Sequence, residues 1–179
     1  NGELLDRGSN DGTVRLWNIQ DLEINQEYVA KGHRSEQATA VLQWHNQSVY
    51  DIDFTPGGDV LAAAGRGPAL YFWDLTKGDQ PEPIDTREKI EAVEEFDLFS
   101  IAISSDGRWL ACGSNELVYL WNLQKEGPPQ KLKQHKSSIF AVAFSPDNAI
   151  LASGSPDCTI CLWNVINGGG LRSILTGHT

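Results

Sequence analysis

The sequence predicts an all-β protein built from repeated four-stranded antiparallel sheets. The first observation is an internal repeat: LLDRGSNDGTVRLWN, which begins at Leu4, aligns without a gap with ILASGSPDCTICLWN, which begins at Ile150. Two weaker copies, VLAAAGRGPALYFWD and WLACGSNELVYLWN, lie between them. Within each copy, apolar residues alternate with polar ones and are bounded by turn residues, which is typical of short strands.

The last repeat shows how each copy divides into strands. Apolar alternation and β-forming residues predict strands over 139–144, 150–153, 159–163 and 171–175. The turn residues Ser155, Pro156 and Asp157 separate the second strand from the third. Four antiparallel strands in about 40 residues predict one blade of a β-propeller.

Each repeat ends in tryptophan followed by asparagine or aspartate, at Trp17, Trp73, Trp121 and Trp163. This ending, together with an upstream Gly-His or Gln-His pair, resembles the WD-repeat family over nearly the whole chain. The resemblance implies a propeller of about seven blades, of which this chain would form an arc of three blades and most of a fourth. An open arc would expose two wide apolar faces, so we expect further blades from flanking sequence or from a second copy.

The repeats divide the single propeller segment 1–179 into a partial blade and three complete blades, predicted over 1–45, 46–95, 96–136 and 137–179. The partial blade carries an insertion at 19–37, and either His33 or His45 is the structural histidine beside it. A second enlarged loop, 76–97, is strongly acidic. It is either a solvated loop or a docking site for a basic partner.

Composition limits the possible partners. Fourteen Lys and Arg against twenty-four Asp and Glu give a formal net charge of -10. Such a surface repels phosphate backbones, so we expect no nucleic-acid partner. No apolar stretch reaches the length of a membrane span, so we expect no membrane partner either. Three cysteines are too few for a disulfide framework and indicate a reducing, cytoplasmic location.

The WD-repeat resemblance implies a hydrogen-bonded tetrad in the last blade, formed by His135, Ser153, Asp157 and Trp163. A buried carboxylate in a turn must be satisfied, and an imidazole beside a hydroxyl can do so. The set also resembles a hydrolase triad. We expect no catalysis, because the indole would cap the hydroxyl and the network would lie buried between strands.

The other blades depart from the tetrad. Arg7 stands in place of serine in the first blade, and Ala63 and Gly67 replace serine and aspartate in the second. The third blade has Glu94 and Cys112 in place of histidine and serine. These departures weaken the expected stability of these blades without changing the predicted architecture.

Three further motifs could carry chemistry. Cys158 and Cys161 form a CxxC, but this spacing in a strand directs the side chains to opposite faces, so we predict no metal site. Asp51 and Asp53 share a strand face, where a contact between blades is the preferred interpretation, although paired carboxylates perturb each other's pKa. The glycine run 168–170 is a hairpin turn without a following helix, so we predict no phosphate cradle and no cofactor.

In WD-repeat proteins the narrow top face binds partners through equivalent positions in successive blades. Carried over by alignment, these partner-binding positions are Ser48, Tyr50, Arg66, Asp97, Phe99, Ser114, Ser138, Phe140 and Pro156, while Asn10 is the contribution of the first blade.

Aromatic residues therefore recur at one place in three blades: Tyr50, Phe99 and Phe140. They are either exposed recognition residues or core aromatics on alternating strands. Exposure would require a β-bulge near Val49 and Ile139 to turn them outward.

These patterns indicate a non-catalytic interaction platform or sensor within a larger multidomain protein, with proteins or peptides as partners. One alternative is an architectural segment that pairs with copies of itself. Another is an enzyme with a site in the central channel, for which only Asp51 and Asp53 are suggestive.

Overall fold

The computed structural model describes residues 4–18, 40–43, 48–67, 70–77, 83–84 and 97–178. Within these ranges all regular structure is antiparallel β-sheet, which confirms the predicted all-β class. Across the same ranges, no helix has the length and apolar character needed to cross a bilayer.

Four sheets follow one another along the chain. The first contains β1 (Leu4–Gly8), β2 (Thr13–Asn18) and β3 (Ala40–Gln43). The second contains β4 (Val49–Phe54), β5 (Val60–Gly65), β6 (Tyr71–Asp74) and β7 (Pro83–Ile84). The third contains β8 (Ser100–Ile103), β9 (Trp109–Gly113), β10 (Leu117–Asn122) and β11 (Gln130–Lys133). The fourth contains β12 (Ala141–Phe144), β13 (Ile150–Ser155), β14 (Thr159–Asn164) and β15 (Gly170–Thr176).

The sheets stack like propeller blades, with the first strands β4, β8 and β12 side by side. Each space between sheets holds an apolar core that contains the tryptophan of the later sheet: Trp73, Trp121 and Trp163. Because these indoles bury a large apolar area, the recurring tryptophan marks the face that each sheet packs against the sheet before it.

The turn that follows the first strand of a sheet accounts for the similar sequences SSDG, in the third sheet, and SPDN, in the fourth. In the fourth sheet Ser145 Oγ donates to Asp147 Oδ1 at 2.5 Å, which closes the turn locally. The turn then needs a residue with positive φ, which is Asn148 at 57° and, in the third sheet, Gly107 at 68°. Asparagine and glycine are the residues that adopt this left-handed conformation most readily, so both sequences form the same turn.

A backbone hydrogen bond joins each sheet to the next at one end of the stack. The N–H of Val49 donates to the carbonyl of Ser9 at 3.1 Å, and that of Ile139 donates to the carbonyl of Ser114 at 2.8 Å. At the middle junction Leu98 donates to Gly65 at 3.0 Å. Val49, Leu98 and Ile139 are all buried, so each junction combines a hydrogen bond with a buried aliphatic side chain.

The strand predicted over 139–144 begins later, at Ala141, because this junction takes up its first two residues. Ile139 bonds to the preceding sheet, whereas the N–H of Phe140 donates to Gly154 within its own sheet at 3.1 Å. The chain thus changes partners between these two residues, and regular pairing starts only afterwards.

The carboxylates of Asp51 and Asp53 form two equivalent hydrogen-bonded links between the second and third sheets. Asp51 accepts the N–H of Ile52 at 3.0 Å on one oxygen and that of Ile101 at 2.8 Å on the other. Asp53 does the same with Phe54 at 2.9 Å and Ile103 at 2.6 Å. Burial raises the pKa of Asp51, although the two backbone hydrogen bonds oppose this rise. The paired carboxylates therefore make the blade contact that the sequence favours.

Close approach of the next sheet explains why Gly113 carries no side chain. A Cβ at this position would lie 2.5 Å from the carbonyl oxygen of Ile139 and 2.5 Å from Ser100 Oγ. The equivalent Gly154 has open space, since a Cβ there would meet only Ala141 Cβ, at 3.8 Å. One glycine is therefore required by contact between sheets, whereas the described structure leaves the other unconstrained.

We predict that Gly113→Ala lowers the free energy of unfolding by about 2 kcal/mol, because the backbone of the next sheet must move. The matched variant Gly154→Ala should change it by less than about 0.5 kcal/mol. Urea denaturation of both variants measures the difference. Equal destabilisation by the two substitutions would contradict the close-contact explanation.

Candidate functional site

In the fourth sheet the structure brings the four predicted tetrad side chains together. Trp163 Nε1 donates to Ser153 Oγ at 2.8 Å, and Ser153 Oγ lies 2.8 Å from His135 Nε2. His135 Nδ1 lies 2.9 Å from Asp157 Oδ2. A carboxylate only accepts, so Nδ1 donates to Asp157, and Nε2 of the neutral ring accepts the serine proton. The network links β13, β14 and the segment that precedes β12.

This arrangement is structural rather than nucleophilic. Ser153 is 1% exposed and His135 is 3% exposed, so a substrate has no access to the hydroxyl. The indole of Trp163 also occupies a lone pair of Ser153 Oγ that an activated nucleophile would need. The network therefore satisfies buried polar groups between strands.

Asp157 is the most strongly bonded member of the tetrad. Burial alone would raise its pKa, but hydrogen bonds from Thr159 Oγ1, the N–H of Lys136 and His135 hold the pKa of the carboxyl well below its usual range. The carboxylate thus ties the turn after β13 to the segment that precedes β12.

We predict that Asp157→Ala lowers the free energy of unfolding by about 2 kcal/mol, because the buried His135 loses its hydrogen-bond acceptor. Glu116→Ala is the matched control, since Glu116 is exposed and lies in the corresponding turn of the third sheet. Thermal and urea unfolding measure both variants. A shift no larger than that of Glu116→Ala would refute the structural role.

The pH dependence of the stability of Asp157→Asn is a second test of the structural role of Asp157. A carboxyl whose folded pKa is depressed contributes stability above its unfolded pKa of about 3.8. That contribution is lost as the pH falls toward the folded pKa. The stability difference between the wild-type chain and Asp157→Asn should therefore be constant near neutral pH and shrink below about pH 4. A difference that is independent of pH would contradict this assignment.

The second and third sheets replace the tetrad by an aromatic pair that the sequence analysis missed. Tyr71 stacks on Trp73 with ring centroids 6.2 Å apart, and Tyr119 packs on Trp121 at 5.8 Å. In the fourth sheet the residue two positions before the tryptophan is the small Cys161, which leaves room for His135. A tyrosine two residues before the tryptophan is the sequence signal that could have predicted this aromatic pair.

In the third sheet the replacement changes the surroundings of the Trp121 indole. Cys112 occupies the position of Ser153, and burial, followed by the nearby Asp51 charge, raises the pKa of its thiol. Within the described residues, Trp121 Nε1 is buried and has no hydrogen-bond partner. The third sheet therefore depends on apolar packing where the fourth uses hydrogen bonds.

At the end of the stack that carries the backbone junctions, three aromatic side chains form a continuous row. The rings of Tyr50 and Phe99 stack at 5.7 Å between centroids with 24° between their planes, and Phe140 meets Phe99 edge-on at 5.0 Å and 77°. Tyr50 is 38% exposed, Phe140 is 57% exposed and Phe99 is half-buried. We call these three residues the aromatic row.

The conformation that exposes the row follows from the junctions between sheets. At β4 the register shifts between Val49 and Asp51, so Tyr50 lies in a bulge, as its exposure requires. Phe140 turns outward where the chain changes from one hydrogen-bond partner to another, directly after the buried Ile139.

The remaining residues predicted at this rim differ in exposure. Arg66, Pro156 and Asn10 are exposed, whereas Ser48, Asp97 and Ser138 are half-buried. Ser114 is buried, and its Oγ donates to the carbonyl of Asp97 at 2.9 Å. Because its side chain does not reach the surface, Ser114 positions Asp97 rather than lining the accessible rim.

Asp97 is held at the rim by further hydrogen bonds. Its Oδ1 accepts the N–H of Gly67 at 2.9 Å, and its Oδ2 accepts the Tyr50 hydroxyl at 3.4 Å. These contacts join the turn after β5 to the segment before β8, and they fix the orientation of one ring of the aromatic row.

Asp51, Asp53 and the two cysteines of the CxxC are the remaining candidates from the sequence. Each oxygen of Asp51 and Asp53 accepts a backbone N–H, and these residues line a shallow depression of about 500 Å³ beside β8 and β12. Cys158 is exposed in the turn before β14, whereas Cys161 is buried. Among the residues described here, no group of three His, Cys, Asp or Glu side chains could hold a metal ion.

Several sequence predictions fall on residues outside the described ranges. They are the insertion 19–37, both candidate histidines His33 and His45, Glu94 and most of the acidic loop 76–97.

Several known proteins are similar to this chain over 90% or more of its length. The RACK1y small ribosomal subunit protein of Oryza sativa subsp. japonica is 26% identical over 170 residues, which are 91% of this chain and 44% of the relative. DDB1- and CUL4-associated factor 13 of Dictyostelium discoideum is 28% identical over 171 residues, which are 94% of this chain and 35% of the relative. Telomerase protein component 1 of Mus musculus is 31% identical over 163 residues, covering 90% of this chain and 6% of the relative.

The chain therefore spans less than half the length of each of these relatives. The family description "WD domain, G-beta repeat" matches residues 36–74, 93–122 and 127–164, more than half of the chain. With its tryptophan-ended repeats and stacked four-stranded sheets, the chain belongs to the WD-repeat family.

Proposed function

We propose that the chain is a non-catalytic protein-interaction platform within a larger protein, and that partners bind the rim carrying the aromatic row. The observation that carries this proposal is the contact of Tyr50, Phe99 and Phe140 across three successive sheets. Exposed aromatic side chains contribute much of the free energy at protein interfaces, often about 2 kcal/mol each. The hydrogen bond from Tyr50 to Asp97 and the buried junctions hold the row in place, which lowers the entropy cost of binding.

Two further observations support a platform over an enzyme. The tetrad is buried, and all four oxygens of Asp51 and Asp53 accept backbone hydrogen bonds. Two of the relatives are named for larger assemblies, as a ribosomal subunit protein and as a CUL4-associated factor. A cytoplasmic location is part of the proposal, because the three cysteines are free thiols.

We predict that Tyr50→Ala and Phe140→Ala each weaken partner binding by roughly thirtyfold, the equivalent of about 2 kcal/mol, with little change in melting temperature. Phe99→Ala should weaken binding as well, with a larger loss of stability because this ring is half-buried. Affinity capture with the chain as bait, followed by titration of the captured protein, measures the effect.

Ile166→Ala is the matched control, because Ile166 is exposed and lies in the turn between β14 and β15, at the other end of the sheet. It should leave partner binding unchanged. Lower stability in the row variants without any change in binding would show that the row is only part of the core.

A specific observation also favours an architectural role, in which another sheet covers the outer face of the fourth sheet. Leu162 and Ala152 are partly exposed there, whereas the equivalent Leu120 and Ala111 of the third sheet are buried beneath the fourth. We propose that a further blade, from the same protein or from a second copy, covers this face.

Sedimentation of the 179-residue chain tests the second-copy form of this role. We expect the apparent mass to rise with concentration, because the apolar face of the fourth sheet is buried by self-association. Leu162→Lys should reduce the association, with Leu123→Lys as the control at an exposed apolar residue in a turn of the third sheet. A concentration-independent monomer would contradict self-pairing.

A further inference from the structure

Asp97 is a rim carboxylate that accepts hydrogen bonds but pairs with no basic side chain among the described residues. The N–H of Gly67 and the hydroxyl of Tyr50 both donate to it, and both donors are uncharged. Within the described part of the chain, no lysine, arginine or histidine forms an ion pair with it. A half-buried carboxylate in this state attracts a cation from outside the chain.

The rings beside Asp97 favour the same sign of charge. Tyr50 and Phe99 are nearly parallel, Phe140 stands almost perpendicular to Phe99, and the two outer rings, Tyr50 and Phe140, are the exposed ones. The π faces of aromatic rings carry negative potential and attract cations placed above them. The rings and the carboxylate therefore both favour a bound cation.

We propose that Asp97 and the aromatic row hold an arginine side chain of a basic partner. A guanidinium is planar, so it can stack on an exposed ring of the row while its N–H groups reach the carboxylate lone pairs that Gly67 and Tyr50 leave available. Lysine carries a compact, strongly hydrated charge and gains less from stacking. This inference rests on the proposed function, because it names the chemistry of the partner at the same rim.

The charges around the row make the inference testable. Arg66 precedes Gly67, is exposed and forms no ion pair with Asp97 in the described structure, so it would repel an incoming guanidinium. The formal net charge of -10 favours a basic partner over longer distances. An acidic partner would instead depend on Arg66.

The test uses a short fluorescein-labelled peptide in which arginine alternates with glycine and serine. Its binding to the whole chain is followed by fluorescence anisotropy, beside identical peptides that carry lysine or uncharged citrulline. We expect the arginine peptide to bind more tightly than the other two. Asp97→Asn should weaken its binding about fivefold, because the charge is lost while an acceptor for Gly67 remains.

Two matched variants separate the site from general electrostatics. Glu116→Gln removes an exposed carboxylate from a turn at the same end of the stack and should weaken binding less than about twofold. Arg66→Gln should strengthen binding of the arginine peptide, because it removes a positive charge that repels the guanidinium. The Arg66 variant and the citrulline peptide keep the test valid if Asp97→Asn fails to fold.

Equal weakening by Asp97→Asn and Glu116→Gln, equal binding of the lysine or citrulline peptide, or weaker binding by Arg66→Gln would overturn the inference. These outcomes are distinguishable from failure of the proposed function. If Tyr50→Ala and Phe140→Ala abolish partner capture while Asp97→Asn does not change it, the platform remains and the arginine site is refuted.

Discussion

The junction between successive sheets is the constraint on which the rest of the structure depends. At each junction a buried aliphatic residue, Val49, Leu98 or Ile139, donates its backbone N–H to the preceding sheet. The next residue turns outward at the same point, in the bulge at Tyr50 and at the change of hydrogen-bond partner before Phe140. The contact that stacks the sheets therefore also places Tyr50, Phe99 and Phe140 at the rim.

The complete tetrad occurs in fewer of the described sheets than the junction does. It is complete in the fourth sheet, whereas the second and third sheets use Tyr71 on Trp73 and Tyr119 on Trp121. Both arrangements fill the space beside the tryptophan, one with a satisfied polar network and the other with a second ring. The stacking of sheets tolerates either, which explains why the repeats diverge at these positions while the tryptophan recurs.

The sequence predicted most of the architecture because strand pattern and turn chemistry are local. The four strands of the fourth sheet and the turns at SSDG and SPDN follow directly from apolar alternation and from Asn148 or glycine at the left-handed position. The burial of Ser114 was not predictable in this way. It depends on how closely neighbouring sheets approach, which one repeat does not encode by itself.

The same long-range contacts prepare the rim for binding. Ser114 fixes the backbone of Asp97, Asp97 accepts from Gly67 and Tyr50, and Tyr50 stacks on Phe99, so residues of two sheets form one connected unit. Side chains that are ordered before binding lose little conformational entropy when a partner arrives. The recognition surface and the joint between sheets therefore share residues, and a substitution that loosens the joint weakens recognition even where it touches no partner.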